Sequence, residues 1–225
     1  MSCRAPLPLR SAFAWSLGVA LGAQGRVQAP PLGFLSLEEL GNIDITSVLK
    51  RAEPLSQAAA AVYVITREDI RRSGATTIPE ALRLAPNLQV AQVDSSQYAI
   101  GARGNNISNV NKLLVLIDGR TIYSALHAGV FWDAQDLLLD DIERIEVIGG
   151  PGGTLWGSNA VNGVINILTR GAKESEGTLF TAAGGDRDRI LTGARHGGKL
   201  SERTSYRGYA KFLDREATVK ANGTS

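Results

Sequence analysis

Several groups of residues have the types and spacing that chemistry requires. The loop Gly149-Gly150-Pro151-Gly152-Gly153-Thr154 follows a β-prone segment, where a phosphate-cradling loop would sit. It lacks the Lys-Ser/Thr ending of a Walker loop, and the G-x-G-x-x-G reading fails at Leu155. Asp133, Asp136, Asp140 and Asp141 gather carboxylates without the spacing of a calcium loop; helix capping and solvation account for them more simply. His127 and His196 are too few and too far apart for zinc. Ser158 has none of the flanking glycines of a nucleophile elbow, and nothing places a base beside it. The expectation is therefore no catalytic residue, no metal site, no cofactor and no enzyme. Tyr98, Tyr123, Phe131 and Trp132 remain, in polar surroundings rich in Asn. Their rings can stack on an aromatic or macrocyclic ligand, or they can pack a core.

Composition narrows the class of protein that these residues serve. The chain has 225 residues, 44% hydrophobic and 20% charged, with one cysteine. That is too apolar for a disordered tail and too poor in Cys for a disulfide scaffold. Met1–Arg10 is a short basic segment, Ser11–Ala23 is uncharged and apolar, and small residues follow, offering a cleavage site at Val27-Gln28-Ala29, which Pro30 disfavours, or alternatively after Gly22 or Ala23. This is the layout of a secretory signal peptide over residues 1–29, since the apolar run is too short to span a bilayer. Removing it leaves 21 basic against 22 acidic groups, so nothing suggests a nucleic-acid binder. Nothing after residue 29 is long and apolar enough for a spanning helix. An exported chain of this kind is either soluble or enters an outer membrane as β-strands.

The elements that would position the candidate residues can be read in order. Residues 30–50 mix Pro, Gly and charge around a short β-prone stretch, Ile43–Val48. Ala60–Ile65 reads as a strand, and Thr66-Arg67-Glu68-Asp69 as a capping box opening a helix that Gly74 stops. Thr77-Ile78-Pro79-Glu80 repeats the device for a second helix through Ala85, ended by Pro86. Leu88–Val93, Tyr98–Gly104 and Lys112–Ile117 read as strands, the last closed by Asp118-Gly119, which suits a type I′ turn. Glu143–Ile148 and Val164–Thr169 complete a compact α+β unit over residues 51–170. Beyond Gly171 the texture changes to alternating segments: Thr178–Ala183, Arg189–Arg195 and Ser205–Leu213. In the last, Tyr206, Gly208, Ala210 and Phe212 share one face, and Arg207, Tyr209 and Lys211 the other. That pattern fits the wall of a membrane barrel and also an ordinary half-exposed sheet.

Particular residues then carry a resemblance. Ile142-Glu143-Arg144-Ile145-Glu146-Val147, Gly150-Pro151 and the run from Leu155-Trp156-Gly157-Ser158-Asn159-Ala160 through Val161-Asn162-Gly163-Val164-Ile165-Asn166-Ile167 closely resemble the plug-domain signature of TonB-dependent outer-membrane receptors. Supporting matches are Val64-Ile65-Thr66, Glu68-Asp69-Ile70, Ile78-Pro79-Glu80-Ala81-Leu82, Ala102-Arg103-Gly104 and Leu114-Val115-Leu116-Ile117-Asp118-Gly119. The resemblance implies a small mixed-sheet plug with short helices, followed by the first antiparallel strands of a transmembrane β-barrel, here residues 171–225. Such a barrel has about 22 strands with the plug in its lumen. It implies import of a scarce nutrient, a ferric siderophore, haem or cobalamin, across the bacterial outer membrane.

Further implications attach to particular positions. Ile43, Asp44, Ile45, Thr46, Ser47 and Val48 occupy the place of the box that pairs, as an added strand, with the C-terminal domain of TonB. Arg103, with Glu143 and Arg144 of the signature, falls in the region that locks plug to barrel. Many members have Arg where this chain has Gly149, so half of that lock is expected to be missing. Tyr98, Asn105, Asn106, Asn109, Tyr123, Phe131 and Trp132 would face the vestibule where ligand docks. The 49 residues from Gly177 to Ser225 have room for about three or four strands, whereas the smallest membrane barrels have about 8. From sequence alone two readings stand: the front part of a transporter, apparently truncated, and a periplasmic plug-like binding module or decayed receptor fragment.

Overall fold

The computed structural model describes residues 61–104, 106, 112–126, 128–150 and 156–217, together with the backbone of 44–45 and 53–54. The proposed leader, and Ile43, Thr46, Ser47, Val48, Asn105 and Asn109, lie outside the described residues. Strand β1 (Asp44–Ile45) pairs antiparallel with β2 (Glu53–Pro54). The plug proper begins with β3 (Ala61–Thr66), which runs directly into helix α1 (Arg67–Ser73). The junction is local chemistry. Thr66 Oγ1 accepts from the Asp69 N–H at 3.1 Å while the Asp69 carboxylate accepts from the Thr66 N–H at 3.0 Å, and Gly74 closes the helix at φ 70°. Hydrogen bonds from Arg71 and Arg72 hold the carboxyl of the half-buried Glu68 down at about 2.

Helix α2 (Ile78–Leu82) is shorter than its sequence suggests, and its expected capping box is only half formed. Thr77 Oγ1 accepts from the Glu80 N–H, but the Glu80 carboxylate turns to the N–H and hydroxyl of Thr76 at 2.9 and 3.0 Å. β4 (Gln89–Gln92) and β5 (Tyr98–Gly101) form a hairpin. Next come β6 (Leu113–Ile117), β7 (Arg120–Thr121), β8 (Tyr123–Ser124), β9 (Gly129–Val130), β10 (Ile142–Gly149) and β11 (Gly163–Thr169). Asp118 and Gly119, at φ 50° and 80°, make the two-residue turn between β6 and β7. The Asp118 carboxylate also accepts from the N–H and hydroxyl of Thr169, at 2.8 and 2.7 Å, tying that turn to the end of β11.

The central sheet has the order β3-β10-β11-β6-β7 and is antiparallel except for the β11–β6 pair. Both faces are covered. Ile65, Ile145, Val147, Ile165, Ile167 and Val115 pack with Ile70 of α1, Ile78 and Leu82 of α2, and Trp132. On the other face Leu114, Leu116, Ile148 and Val164 pack with Ala160 and Trp156. Two-sided burial explains why the β6 sequence LLVLI is continuously apolar. It also explains why Glu146, whose side chain lies on the second face, must be paired: Arg144 donates to it at 2.8 Å and to Glu143 at 2.7 Å.

A short 3₁₀ turn, Ala172–Ser175, leads into a second sheet of three antiparallel strands: β12 (Gly177–Ala183), β13 (Asp188–Ser201) and β14 (Thr204–Arg215). β13 is far longer than the expected Arg189–Arg195. The His196-Gly197-Gly198-Lys199 stretch looks like a turn in sequence but continues the ladder, pairing with Gly208 to Ser205. The sheet has an inverted polarity. Arg195, Arg207, Tyr209, Lys211 and Arg215 turn toward the plug, while Phe180, Thr192, Ala210 and Phe212 turn away from it, Phe180 with 77% of its surface exposed. Register places Phe180 opposite Ala194 opposite Ala210, so these share the outer face. A half-exposed sheet of a water-soluble domain would be arranged the other way round.

The capping box is the clearest local determinant of the plug's first crossover. Thr66→Ala is expected to lower the stability of the plug by about 1 kcal/mol, read as an earlier urea transition at unchanged slope.

Candidate functional site: the seam between plug and wall

The residues expected to lock plug to barrel fall in two places. Arg103 sits in the left-handed region at φ 58°, followed by Gly104 at 76°. This tight turn brings its side chain to the edge of a small cleft of about 150 Å³ that Gly149 also lines, with Asn87, Ile148 and Asn162. The fold thus brings Arg103 and Gly149, the two positions expected to share the lock, to one cleft. At Gly149 a Cβ would lie 3.2 Å from the Asn87 amide nitrogen, so Asn87 occupies part of the space a longer side chain would need. Arg144 is elsewhere, bridging Glu143 and Glu146 within the plug.

Of the residues expected to face ligand, Tyr98 requires a correction. It is only 4% exposed and belongs to the plug core. Its hydroxyl donates to Glu80 at 3.4 Å and accepts from Arg215 at 3.4 Å. Its strand, β5, is buried along its length. Trp132 is likewise in the core at 8% exposure, whereas Phe131 is 38% exposed and Tyr123 is half-buried on the β8–β9 hairpin. Asn106 is half-buried, and its Oδ1 has no hydrogen-bond partner among the described residues. Beside Trp132, burial pushes the Asp133 carboxyl above the usual carboxylate range and nearby Asp94 adds to the effect, against a hydrogen bond from Ser96.

The main charged constellation was not expected. Asp136 and Asp141 are not solvated caps: both reach the wall. Asp141, 3% exposed, pairs with Arg195, and Arg207 lies 3.8 Å from its other oxygen. Asp136 pairs with Lys211 at 2.5 Å, and its backbone oxygen accepts from Tyr209. Arg207 also donates to the Arg170 carbonyl at 2.6 Å. Arg215 pairs with Asp188 at 2.5 Å and donates to the Ser95 carbonyl at 2.8 Å, while Asp188 accepts from the Thr76 hydroxyl at 2.5 Å. The signal for this set was present in the sequence as basic residues at 207, 211 and 215, which lie on one face of a strand.

Glycines on β13 let the two sheets approach. A Cβ at Gly197 would overlap the Ser175 carbonyl oxygen, and one at Gly193 would lie 2.8 Å from Leu138 Cδ1. Between plug and wall a cleft of about 410 Å³ remains, lined by α1, Leu138–Asp140 and residues of β12 and β13, with Lys211.

The family model for the TonB-dependent receptor plug domain matches residues 54–164. The vitamin B12 transporter BtuB of Vibrio vulnificus strain CMCP6 is 32% identical over 163 residues, covering 69% of this chain and 25% of that one. BtuB of Vibrio cholerae serotype O1 is 34% identical over 139 residues, covering 59% and 21%. The siderophore receptor PirA from Acinetobacter baumannii superposes with a TM-score of 0.54 at 26% identity, over 72% of this chain and 26% of that one. The ferric yersiniabactin uptake receptor FyuA from Yersinia pestis shares the fold at a TM-score of 0.53 and 19% identity, over 77% and 26%. The chain thus spans about a quarter of the length of the relatives it matches. Those relatives are named as a transporter and as receptors, and none of these names is an enzyme's. This chain belongs to the TonB-dependent receptors, with residues 54–164 as the plug domain.

Proposed function

We propose that this chain supplies the plug and the first wall strands of an energy-coupled transporter in the bacterial outer membrane. Its ligand is a small molecule of the ferric siderophore, haem or cobalamin class, in keeping with relatives named as a vitamin B12 transporter and a siderophore receptor. The observation that carries this reading is the inverted polarity of β12–β14. Cations and tyrosine turn in to meet the plug, and phenylalanine and alanine turn out. That is the arrangement of a barrel wall with lipid outside and a polar lumen inside.

Energy enters through Ile43–Val48, which pairs as an added strand with the C-terminal domain of TonB. The ladder holding its centre is short: Asp44 faces Pro54 and Ile45 faces Glu53. Proline has no N–H to donate, and an isolated two-stranded pair of this length is marginal in water. A competing strand therefore displaces it at little cost. The half-exposed Tyr123 and Phe131, with the asparagines at 105, 106 and 109, face the ligand, whereas Tyr98 and Trp132 hold the plug together.

In cells carrying the full-length receptor, Ile45→Pro is expected to abolish uptake of whichever cobalamin or ferric chelate the wild type imports, while surface binding persists. Uptake equal to wild type would remove energy coupling through this segment. Arg103 locks the plug in this reading, and Gly149 leaves that lock incomplete. Gly149→Arg, whose Cβ would lie 3.2 Å from the Asn87 amide nitrogen and so requires Asn87 to give way, is expected to raise the urea concentration at which the plug leaves the barrel; unchanged release would reject the idea.

A further inference from the structure

The seam between plug and β14 has a regularity that the Arg103 region does not explain. Arg207, Lys211 and Arg215 recur every fourth residue on one face of the strand, a spacing of about 13 Å. Each is engaged. Arg207 reaches Asp141, Thr169 and the Arg170 carbonyl; Lys211 reaches Asp136; Arg215 reaches Asp188, the Ser95 carbonyl and the Tyr98 hydroxyl. Arg195 of β13 completes the set on Asp141. The side chains of Arg195, Arg207, Lys211 and Arg215 are between 6% and 12% exposed. Charges so far from water are held only by their partners, and removing one partner leaves the other uncompensated.

We infer that this ladder is a second plug–wall lock, opposite in polarity to the one at Arg103: the wall supplies the cations, and the plug supplies Asp136 and Asp141. Its position makes the first wall hairpin the seat on which the plug is held. Asp136 and Asp141 flank Leu138, which packs against Gly193, so the carboxylates and the close glycine contact release together. The inference rests on the packing of plug against wall and not on the transport reading. A receptor that imports nothing would still show the lock, and a receptor that transports without it would retain its uptake.

The test uses the full-length receptor in outer membranes, with a thiol reporter at Thr181→Cys. Thr181 lies on the inner face of the wall beneath the plug, and its buried hydroxyl has no hydrogen-bond partner among the described residues. Maleimide labelling at a fixed, sub-denaturing urea concentration then reports separation of plug from wall. Asp136→Asn and Asp141→Asn are each expected to label faster than the parent by about tenfold or more. Asp141→Asn is expected to label fastest, since it strands two arginines. Exchanging the pair, Asp136→Lys with Lys211→Asp, is expected to return labelling most of the way to the parental rate. Labelling at the parental rate in both asparagine variants would overturn the inference, as would an exchanged pair no slower than Asp136→Asn alone. If Asp141→Asn does not assemble, as judged by loss of heat-modifiable mobility of the barrel, the Asp136–Lys211 cycle decides the matter by itself.

Discussion

Charges that turn away from water must be met by protein, and in this structure that requirement joins the two sheets. Arg195, Arg207 and Lys211 project from the wall toward the plug, and Asp136 and Asp141 come from the plug to meet them. The wall cations and Asp141 are not tolerable alone at such low exposure, whereas Asp136 keeps about a third of its side chain, 34%, at the surface. The outer face of the same strands carries Phe180, Ala210 and Phe212, which a soluble sheet would bury. Both oddities disappear together once the three strands are part of a cylinder with lipid outside and a plug within.

The two kinds of contact in the molecule divide its labour. Inside the plug the central sheet is covered by apolar side chains on both faces, with Glu146 and Asn166 as buried polar exceptions on the second, and β6 and β11 are buried along their whole length. Cohesion there comes from burying aliphatic side chains, which is strong and non-directional. At the seam the contacts are ion pairs, hydrogen bonds to carbonyls and two glycine gaps. Buried ion pairs add little net stability compared with apolar packing but are demanding in geometry. The plug is thus internally cohesive and registered against the wall without being fused to it.

Much of this was legible in sequence where the determinants are local. Thr66-Arg67-Glu68-Asp69 gives its capping box because the partners are three residues apart, and Asp118-Gly119 gives its turn because both residues accept positive φ. Non-local choices were not legible. Nothing in LLVLI or VINILT says that β6 and β11 lie side by side and parallel, because that pairing depends on what covers both faces. Glu80 has the right spacing to cap with Thr77, yet it is drawn away by Thr76, whose hydroxyl also reaches Asp188 on the wall. Tyr98 sits among glycines and polar residues that suggest a surface, and only the hairpin with β4 and the approach of Arg215 bury it. Gly197-Gly198 suggested a break in β13, although its real role is to let Ser175 approach the strand.

Asp136 and Asp141 show why the seam itself escaped the sequence. Acids clustered near helix starts are usually solvated, and that is the sound reading for an isolated domain. Its failure here is informative, because it fails only when a second, cationic surface stands within hydrogen-bond reach. The reciprocal failure occurs on β14, where alternation shows a polar face but not which way it points. What decides both faces is the presence of the other sheet. When two surfaces each look misassigned for a soluble protein, and the misassignments are complementary in charge and spacing, the simplest physical resolution is that they face one another. The 2.5 Å pairing of Asp136 with Lys211 is the point at which both readings are corrected at once.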